Sequence, residues 1–433
     1  MKRRLLALIM VLGLVLVSCG GSDDPLAEDD DEQEQGSGSV SVAAVWTGGE
    51  QQNFEAVLEA FTEATGIDAE YQSTGDDVGA YLGTQIEGGN PPDVAMLPQP
   101  GLLRDLAADG SLVAANDDVA GALEENFDPI WTELGSAEGT LYGVYFKVAN
   151  KSTWWYNAAA LEQAGVSPPA TWDEMLSAAQ TVNASGVPWV SIGGADGWTL
   201  TDWFENIYIQ TAGADMYDQL ANHEIPWTDE SVINALEVFG ELVGDDANIA
   251  GGVSGALQTD FPTSVSQVFA DPPKAATVYE GDFVGGVIAD ETSASVGEDA
   301  DYFIFPQIDD APQAIVGGGD VAVALTDTEN AQRLLAFLAT PEAAEVWASA
   351  GGFTSANRNL DPSVYPDDIT RRSAEAIVNA ADFRFDLSDL QPAAFGGTVG
   401  RGLFLRFQDF LKNPSDPETI AQALEKDASK AFQ

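Results

Sequence analysis

No other stretch restricts the folds open to this chain as much as residues 140–165, TLYGVYFKVANKSTWWYNAAALEQAG. It begins with the β-formers Leu141, Tyr142, Val144, Tyr145, Phe146 and Val148, which predict a buried or half-buried strand. Three aromatics follow, Trp154, Trp155 and Tyr156, and Asn157 then stands where it can cap an alanine-rich helix ending near Gly165. Polar Lys147, Asn150 and Lys151 lie between the two apolar parts. A strand that runs through such residues into aromatics makes a poor core but a good cleft wall. It suits a ligand with both hydroxyls and flat apolar faces.

The remaining chain must supply the rest of that cleft. With 433 residues two lobes are expected rather than one core, and a hydrophobic content of 45% suffices to fill them. The 70 acidic residues outnumber 17 basic ones, which argues against nucleic acid and anionic membranes as partners, since both need clustered Lys and Arg. Such a surplus suits a secreted protein kept soluble by self-repulsion. The one cysteine, Cys19, follows a positive Lys2-Arg3-Arg4 segment and an apolar run, 5–17, too short to span a bilayer. Leu16-Val17-Ser18-Cys19 looks like a bacterial lipobox, so residues 1–18 are expected to be a signal peptide and Cys19 a lipidated residue. Residues 19–39 are then a flexible acidic tether holding an extracytoplasmic protein to the cell membrane.

From residue 40 onward strands and helices alternate. Residues 40–46, 67–71 and 93–97 read as strands, and Phe54, Val57, Leu58 and Phe61 mark one face of a helix stopping at Gly66. Thr171-Trp172-Asp173-Glu174 is a capping box, and Thr340 with Pro341 opens another helix. Further strands are expected at 188–192, 302–305 and 321–325, and helices at 202–211, 229–243 and 416–432. The alternation predicts an α/β fold with helices on both faces of mixed sheets.

One histidine and one cysteine exclude ordinary zinc, iron or copper ligation, and the acidic runs lack calcium-loop spacing, so no cofactor is expected. Gly317-Gly318-Gly319-Asp320 lacks both the phosphate-loop lysine and the dinucleotide spacing and reads as turn glycines, with Asp320 at the mouth of a cleft. Aromatics in polar, turn-rich stretches carry more information. Trp46 precedes Thr47-Gly48-Gly49-Glu50, Trp198 and Trp203 bracket Asp202, and Phe283 follows Tyr279-Glu280-Gly281-Asp282. Aromatic faces take the C–H side of a sugar ring, and carboxylates, amides and ammonium groups take its hydroxyls. Trp46, Trp198 and Trp203 are therefore expected to line a site, and Trp172, Trp189 and Trp347 to be core. Of Trp154 and Trp155, strand alternation allows only one to face the cleft.

Trp46-Thr47-Gly48-Gly49-Glu50, Pro91-Pro92-Asp93-Val94, Lys147-Val148-Ala149-Asn150-Lys151-Ser152, Asp196-Gly197-Trp198 through Trp203-Phe204-Glu205-Asn206, Gly317-Gly318-Gly319-Asp320, Ala339-Thr340-Pro341-Glu342-Ala343-Ala344 and Arg384-Phe385-Asp386-Leu387-Ser388-Asp389 occur in a familiar order. Together they resemble ABC-transporter solute-binding lipoproteins of the family that includes maltose-binding protein, and within it the alpha-glucoside-binding branch. The resemblance implies a periplasmic-binding-protein-like fold of two lobes joined by crossover strands. Lobe I would be 40–146 plus 310–352, and lobe II 147–309 plus 353–433. It implies a monomer that closes by a hinge around its ligand and delivers it to membrane permease subunits. Closure would set Trp46, Glu50, Asp77 and Gln99 against Lys147, Trp198, Asp202, Trp203, Glu280 and Phe283, with Asp320 nearby. At Thr74-Gly75-Asp76-Asp77 the chain lacks the arginine that the family pattern leads one to expect beside the aspartate. The residues alone also permit a secreted glycoside hydrolase, with Asp196/Asp202 or Glu280/Asp282 as acid and base, or a receptor for a cationic solute such as a polyamine.

Overall fold

The structure, a computed structural model, describes residues 38–75, 77–309, 311, 314–378, 380 and 383–433. The expected leader, Cys19 and nearly all of the tether lie outside the described residues. Among the described residues ten strands form the two main sheets, beside a short pair at 136–137 and 140–141: β1 Ser39–Ala44, β2 Asp68–Ser73, β3 Val94–Leu97, β4 Gly143–Asn150, β5 Thr153–Asn157, β6 Val190–Ser191, β7 Thr277–Tyr279, β8 Ala300–Ile304, β9 Ile315–Ala324 and β10 Phe383–Phe385. The first sheet has the order β10-β9-β3-β1-β2, with β4 also paired to β9. β1 is parallel to β2 and β3, and β9 is antiparallel to β3 and β4. The second sheet has the order β8-β5-β7-β6.

Each sheet buries its own core. Val40, Phe54, Phe61, Leu97, Phe146 and Trp347 belong to the first, Trp154, Trp189, Phe204, Phe239 and Phe407 to the second, and Trp155, Val265, Ile288 and Tyr302 to a third, smaller one beside the second. Truncating a fully buried aromatic such as Trp347 to Ala costs about 3–5 kcal/mol. β4 and β9 tie the lobes together. β4 gives Val144, Tyr145, Phe146 and Val148 to the first core, and β5, only two residues later, gives Trp154 to the second. Phe353, Tyr365, Ala374 and Ile377 pack in the first core, while Ile308, Ala314 and Val316 pack in the second.

Local signals hold where they were strongest. Asn157 accepts from the Ala160 amide at 3.0 Å and caps the helix Ala158–Ala164. Thr171 and Glu174 form the capping box of Trp172–Ala184. Thr340 caps Pro341–Ala348, and Asp416 caps Pro417–Ala431. The glycines at 317–319 correct the reading as a turn, because they lie inside β9, opposite Val148, Ala149 and Asn150. Close approach of neighbouring chains explains their type. A Cβ on Gly319 would stand 2.7 Å from the Lys147 carbonyl oxygen, one on Gly318 2.8 Å from Lys151 Cε, and one on Gly317 would enter the Phe383 ring. Among the described residues no helix is long and apolar enough to cross a membrane.

Candidate ligand-binding site

β4 carries Lys147 and continues to Lys151, and residues four apart on an extended chain point to the same side. Each lysine organises a cluster from a different lobe. Lys147, 6% exposed, pairs with Glu50 in the first turn of the helix Gly48–Thr65, where the helix dipole also favours a negative charge. Its ammonium lies 5.6 Å from the centre of the Trp46 ring and 5.1 Å from that of Trp347. Asp320 sits opposite Lys147 in the strand register. Burial pushes its carboxyl up to about 6, against the pull of Lys147. Burial would lower the Lys147 pKa, but Glu50, Asp320 and Asp282 outweigh it and raise it.

Lys151 is ringed by acids. Its ammonium pairs with Asp386 and lies 3.4 Å from Asp202 and 3.7 Å from Asp389. The Trp198 ring centre is 5.7 Å away. Asp386 is held down at about 2: burial would raise it, but Lys151, the Asp389 amide and the Ser388 hydroxyl prevail. Asp202 is pushed up to about 8 by burial, against Lys151 and together with the charge of Asp386. Glu205 and Asp389 are raised by burial and by Asp386. One cation therefore serves several buried carboxyls, and the surplus holds protons.

Glu280 is the exceptional member. It is 1% exposed, and among the described residues no N–H or O–H donates to either of its carboxyl oxygens. Burial first and Asp202 second raise the Glu280 pKa well above the carboxylate range. The Asn150 side-chain amide, also buried, likewise donates to no protein group. Such groups are costly to bury unless something hydrogen-bonds to them.

The aromatics divide differently from expectation. Trp198 is half-buried and meets Phe261 and Phe283, with ring centres 5.3 and 6.1 Å away, beside Lys151. Trp46 is 4% exposed and packs edge-on against Phe54 and Trp347, so it is core that touches the site only through Lys147. Trp203, 1% exposed, stacks on Phe239 and meets Trp154 and Tyr279 edge-on inside the second core. The helix Trp198–Ala212 turns one residue, Trp198, toward the cluster and another, Trp203, away from it. Trp154 and Trp155 point apart as alternation requires, but each ends in a core, Trp154 in the second and Trp155 in the third. Trp172, Trp189 and Trp347 are core as expected.

On the other wall Asp77 is exposed and caps the helix Val78–Glu87 by accepting from the Ala80 amide at 2.9 Å. Gln99 opens the helix Pro100–Ala108 and lies against Gly397, where a Cβ would overlap its amide. A Cβ on Gly101 would meet Gln391, and one on Gly49 would meet Asp290. Segments of the first lobe thus touch the second lobe along two rims, on either side of the lysines.

Asp202, Glu205 and Asp386 bring oxygens within 4.8 Å of one another. Lys151 already supplies a cation there, and Glu205 accepts from the Leu387 and Ser388 amides at 2.8 and 3.0 Å. Lys151, Glu205, Asp386 and Asp389 were not among the expected site residues, and Asp282 entered only as an acid–base candidate. The spacing of Lys147 and Lys151 was the available signal for the first of them. Two surface grooves of about 290 and 780 Å³, one lined by Ile130 and Val378 and the other by Phe127 and Arg358, hold none of these groups.

The family model "Bacterial extracellular solute-binding protein" matches residues 47–345. An "Osmoprotective compounds-binding protein GgtB" of Synechocystis sp. is 36% identical over 398 residues, 90% of this chain and 92% of the relative. An "Alpha-glucosides-binding periplasmic protein AglE" of Rhizobium meliloti is 33% identical, over 88% and 85% of the two chains. Among solved structures, the bacterial solute receptor AcbH superposes with a TM-score of 0.80 at 19% identity, covering 92% of this chain and all of that one. The GacH receptor of Streptomyces glaucescens superposes at 0.73 and 17% identity, covering 92% and 98%. These two share the fold of two lobes with this chain. By the length of the family match and its identity to full-length relatives, this chain belongs to the bacterial extracellular solute-binding proteins.

Proposed function

We propose that the protein is the receptor of an ABC importer, and that it carries a small polyhydroxylated solute, an alpha-glucoside or an osmoprotective compound, between its lobes. Glu280 carries this reading: a buried carboxyl beside Asp202 and Lys151 that receives no hydrogen bond from the described residues, at the edge of an aromatic corner made by Trp198 and Phe283. Hydroxyls donate to such carboxyls, and a sugar face stacks on such rings. The names of the two full-length relatives support the same ligand class. Trp198, Asp202, Glu280 and Phe283 form one wall. Glu50, Lys147 and Asp320 face them, with Gln99 at the rim; Trp46 backs Lys147, and Asp77 and Trp203 stand behind as a cap and a core residue. The lobes divide at Lys147–Ser152 and within β9, with 353–378 belonging to lobe I.

Hydrolysis fits poorly. Asp196 accepts from the Phe261 amide, and Asp282 is engaged by two hydroxyls. A polyamine would compete with Lys147 and Lys151 for the same rings and acids. Lipidation at Cys19 and a monomeric state belong to the same proposal; palmitate labelling that persists in Cys19→Ala would refute the anchor.

Calorimetric titration with maltose, trehalose, sucrose, glucose and spermidine, with each mixture assayed for hydrolysis, tests the reading. Micromolar binding of one glucoside without turnover is expected. Turnover, or binding of spermidine alone, would overturn it.

A further inference from the structure

The chain from Tyr279 to Val284 carries Glu280 and Phe283, and its polar groups are almost all tied down. Thr153 donates to the Glu280 carbonyl at 2.7 Å, Trp155 Nε1 to that of Gly281 at 3.2 Å, and the Asp282 amide to the Asn150 carbonyl at 3.0 Å. These three ties run to the β4–β5 connection. The Asp282 carboxylate reaches elsewhere. Its Oδ2 accepts from Thr354 Oγ1 at 2.7 Å and from Ser373 Oγ at 2.8 Å. Thr354 follows Phe353 of the first core, and its carbonyl receives the Val148 amide of β4 at 2.9 Å. Ser373 lies on the helix Asp368–Val378, which puts Ala374 and Ile377 in that same core, while its Ile369 joins the third core and its Arg372 pairs with Asp301 of the second sheet.

Both hydroxyls are buried, Thr354 at 2% exposure and Ser373 at 0%, so their hydrogen bonds have no ready substitute in solvent. Beside this contact Gly286 and Gly352 meet backbone to backbone, a Cβ on Gly352 falling 3.2 Å from Gly286 Cα. Lys147 contributes its field to Asp282 as well. Asp282 therefore stands between the Lys147 cluster and the wall that holds Glu280.

We propose that Asp282 is a positioning residue for ligand binding: its hydrogen bonds to Thr354 and Ser373 latch the Glu280–Phe283 wall to the first lobe and set Glu280 at its angle to the ligand. The inference rests on the reading above only in taking Glu280 and Phe283 to face a ligand. Loss of the latch leaves the wall attached to its own lobe but free to pivot.

The test uses the full chain and two independent readouts. Hydrogen exchange of peptides covering 279–286 is compared among the wild type, Asp282→Asn and the double variant Thr354→Val/Ser373→Ala, which keeps the acid and removes its donors. Both variants are expected to exchange about 10-fold faster there and to keep wild-type protection in β1 and β3. Titration with maltose, trehalose and sucrose gives the second readout. For whichever sugar binds, Asp282→Asn is expected to weaken affinity about 10-fold through faster release, and to add little more in an Asp282→Asn/Glu280→Gln pair. Unchanged exchange at 279–286, or full additivity with Glu280→Gln, would overturn the latch. Failure of every sugar to bind the wild type would sink the ligand reading instead, and exchange alone would then decide the latch.

Discussion

Two lysines four residues apart on one crossover sit in opposite electrostatic situations. Lys147 meets Glu50, whose side chain is 43% exposed, and the half-buried Asp320, and it rests on two indole faces. Lys151 meets Asp202 and Asp386, at 1% and 0% side-chain exposure, with Asp389 and Glu205 behind them. Around Lys147 a partner can return to water when the pair breaks. Around Lys151 it cannot, because the charge left behind stays buried. The first arrangement suits a contact that is made and released, the second a permanent girder of the second lobe.

The comparison breaks most visibly under substitution of the lysines. Lys151→Met leaves Asp386 and Asp202 without a counter-ion and is expected to cost about 3–5 kcal/mol of stability, measured by denaturant unfolding. Lys147→Met is expected to cost about 1 kcal/mol, since Glu50 rehydrates. Equal losses would remove the distinction. Trp203→Ala is expected to lower stability by about 3–5 kcal/mol, as for other core aromatics. Trp198→Ala should spare the melting temperature and weaken sugar binding about 10- to 100-fold, equivalent to about 1.4–2.8 kcal/mol.

The pH profile sharpens the same contrast by a smaller effect. A carboxyl raised in the folded state binds more protons there than in the unfolded chain, so its contribution to stability falls as pH rises between the two values. Asp202, raised to about 8, is expected to give a decline from about pH 4 to about pH 8, and Asp320, raised to about 6, a decline ending near pH 6. Asp386, lowered to about 2, acts in the opposite sense: its contribution is present above about pH 4 and is lost as pH falls toward 2. Asp202→Asn should flatten the slope between pH 6 and 8, and Asp320→Asn should leave that interval unchanged. A slope above pH 6 as steep in Asp202→Asn as in the wild type would refute the assignment, since Glu205, Glu280 and Asp389, also raised, account only for a remainder.

Much of the architecture was legible in the residues themselves. Periodic faces such as Phe54, Val57, Leu58 and Phe61, and caps such as Asn157, Thr171 and Thr340, are local, so a helix and its ends follow from a few neighbours. The strand-like run around Val144–Val148, with polar residues after it, was legible as a buried strand leading toward the site. Glycines 317–319 were misread as a turn, since their tight contacts with β4 and Phe383 involve chain segments far away in sequence.

The α/β alternation and the likeness to a solute-binding family were thus determined by the sequence. Which of the 70 acids meet which lysine was decided only by the tertiary structure, because carboxylates look alike in a string and Asp386 reaches Lys151 across 235 residues. Burial decided the tryptophans in the same way. Trp198 and Trp203 share a helix and a composition, but one turns to the cleft and the other to the second core, a difference set by what packs against each face.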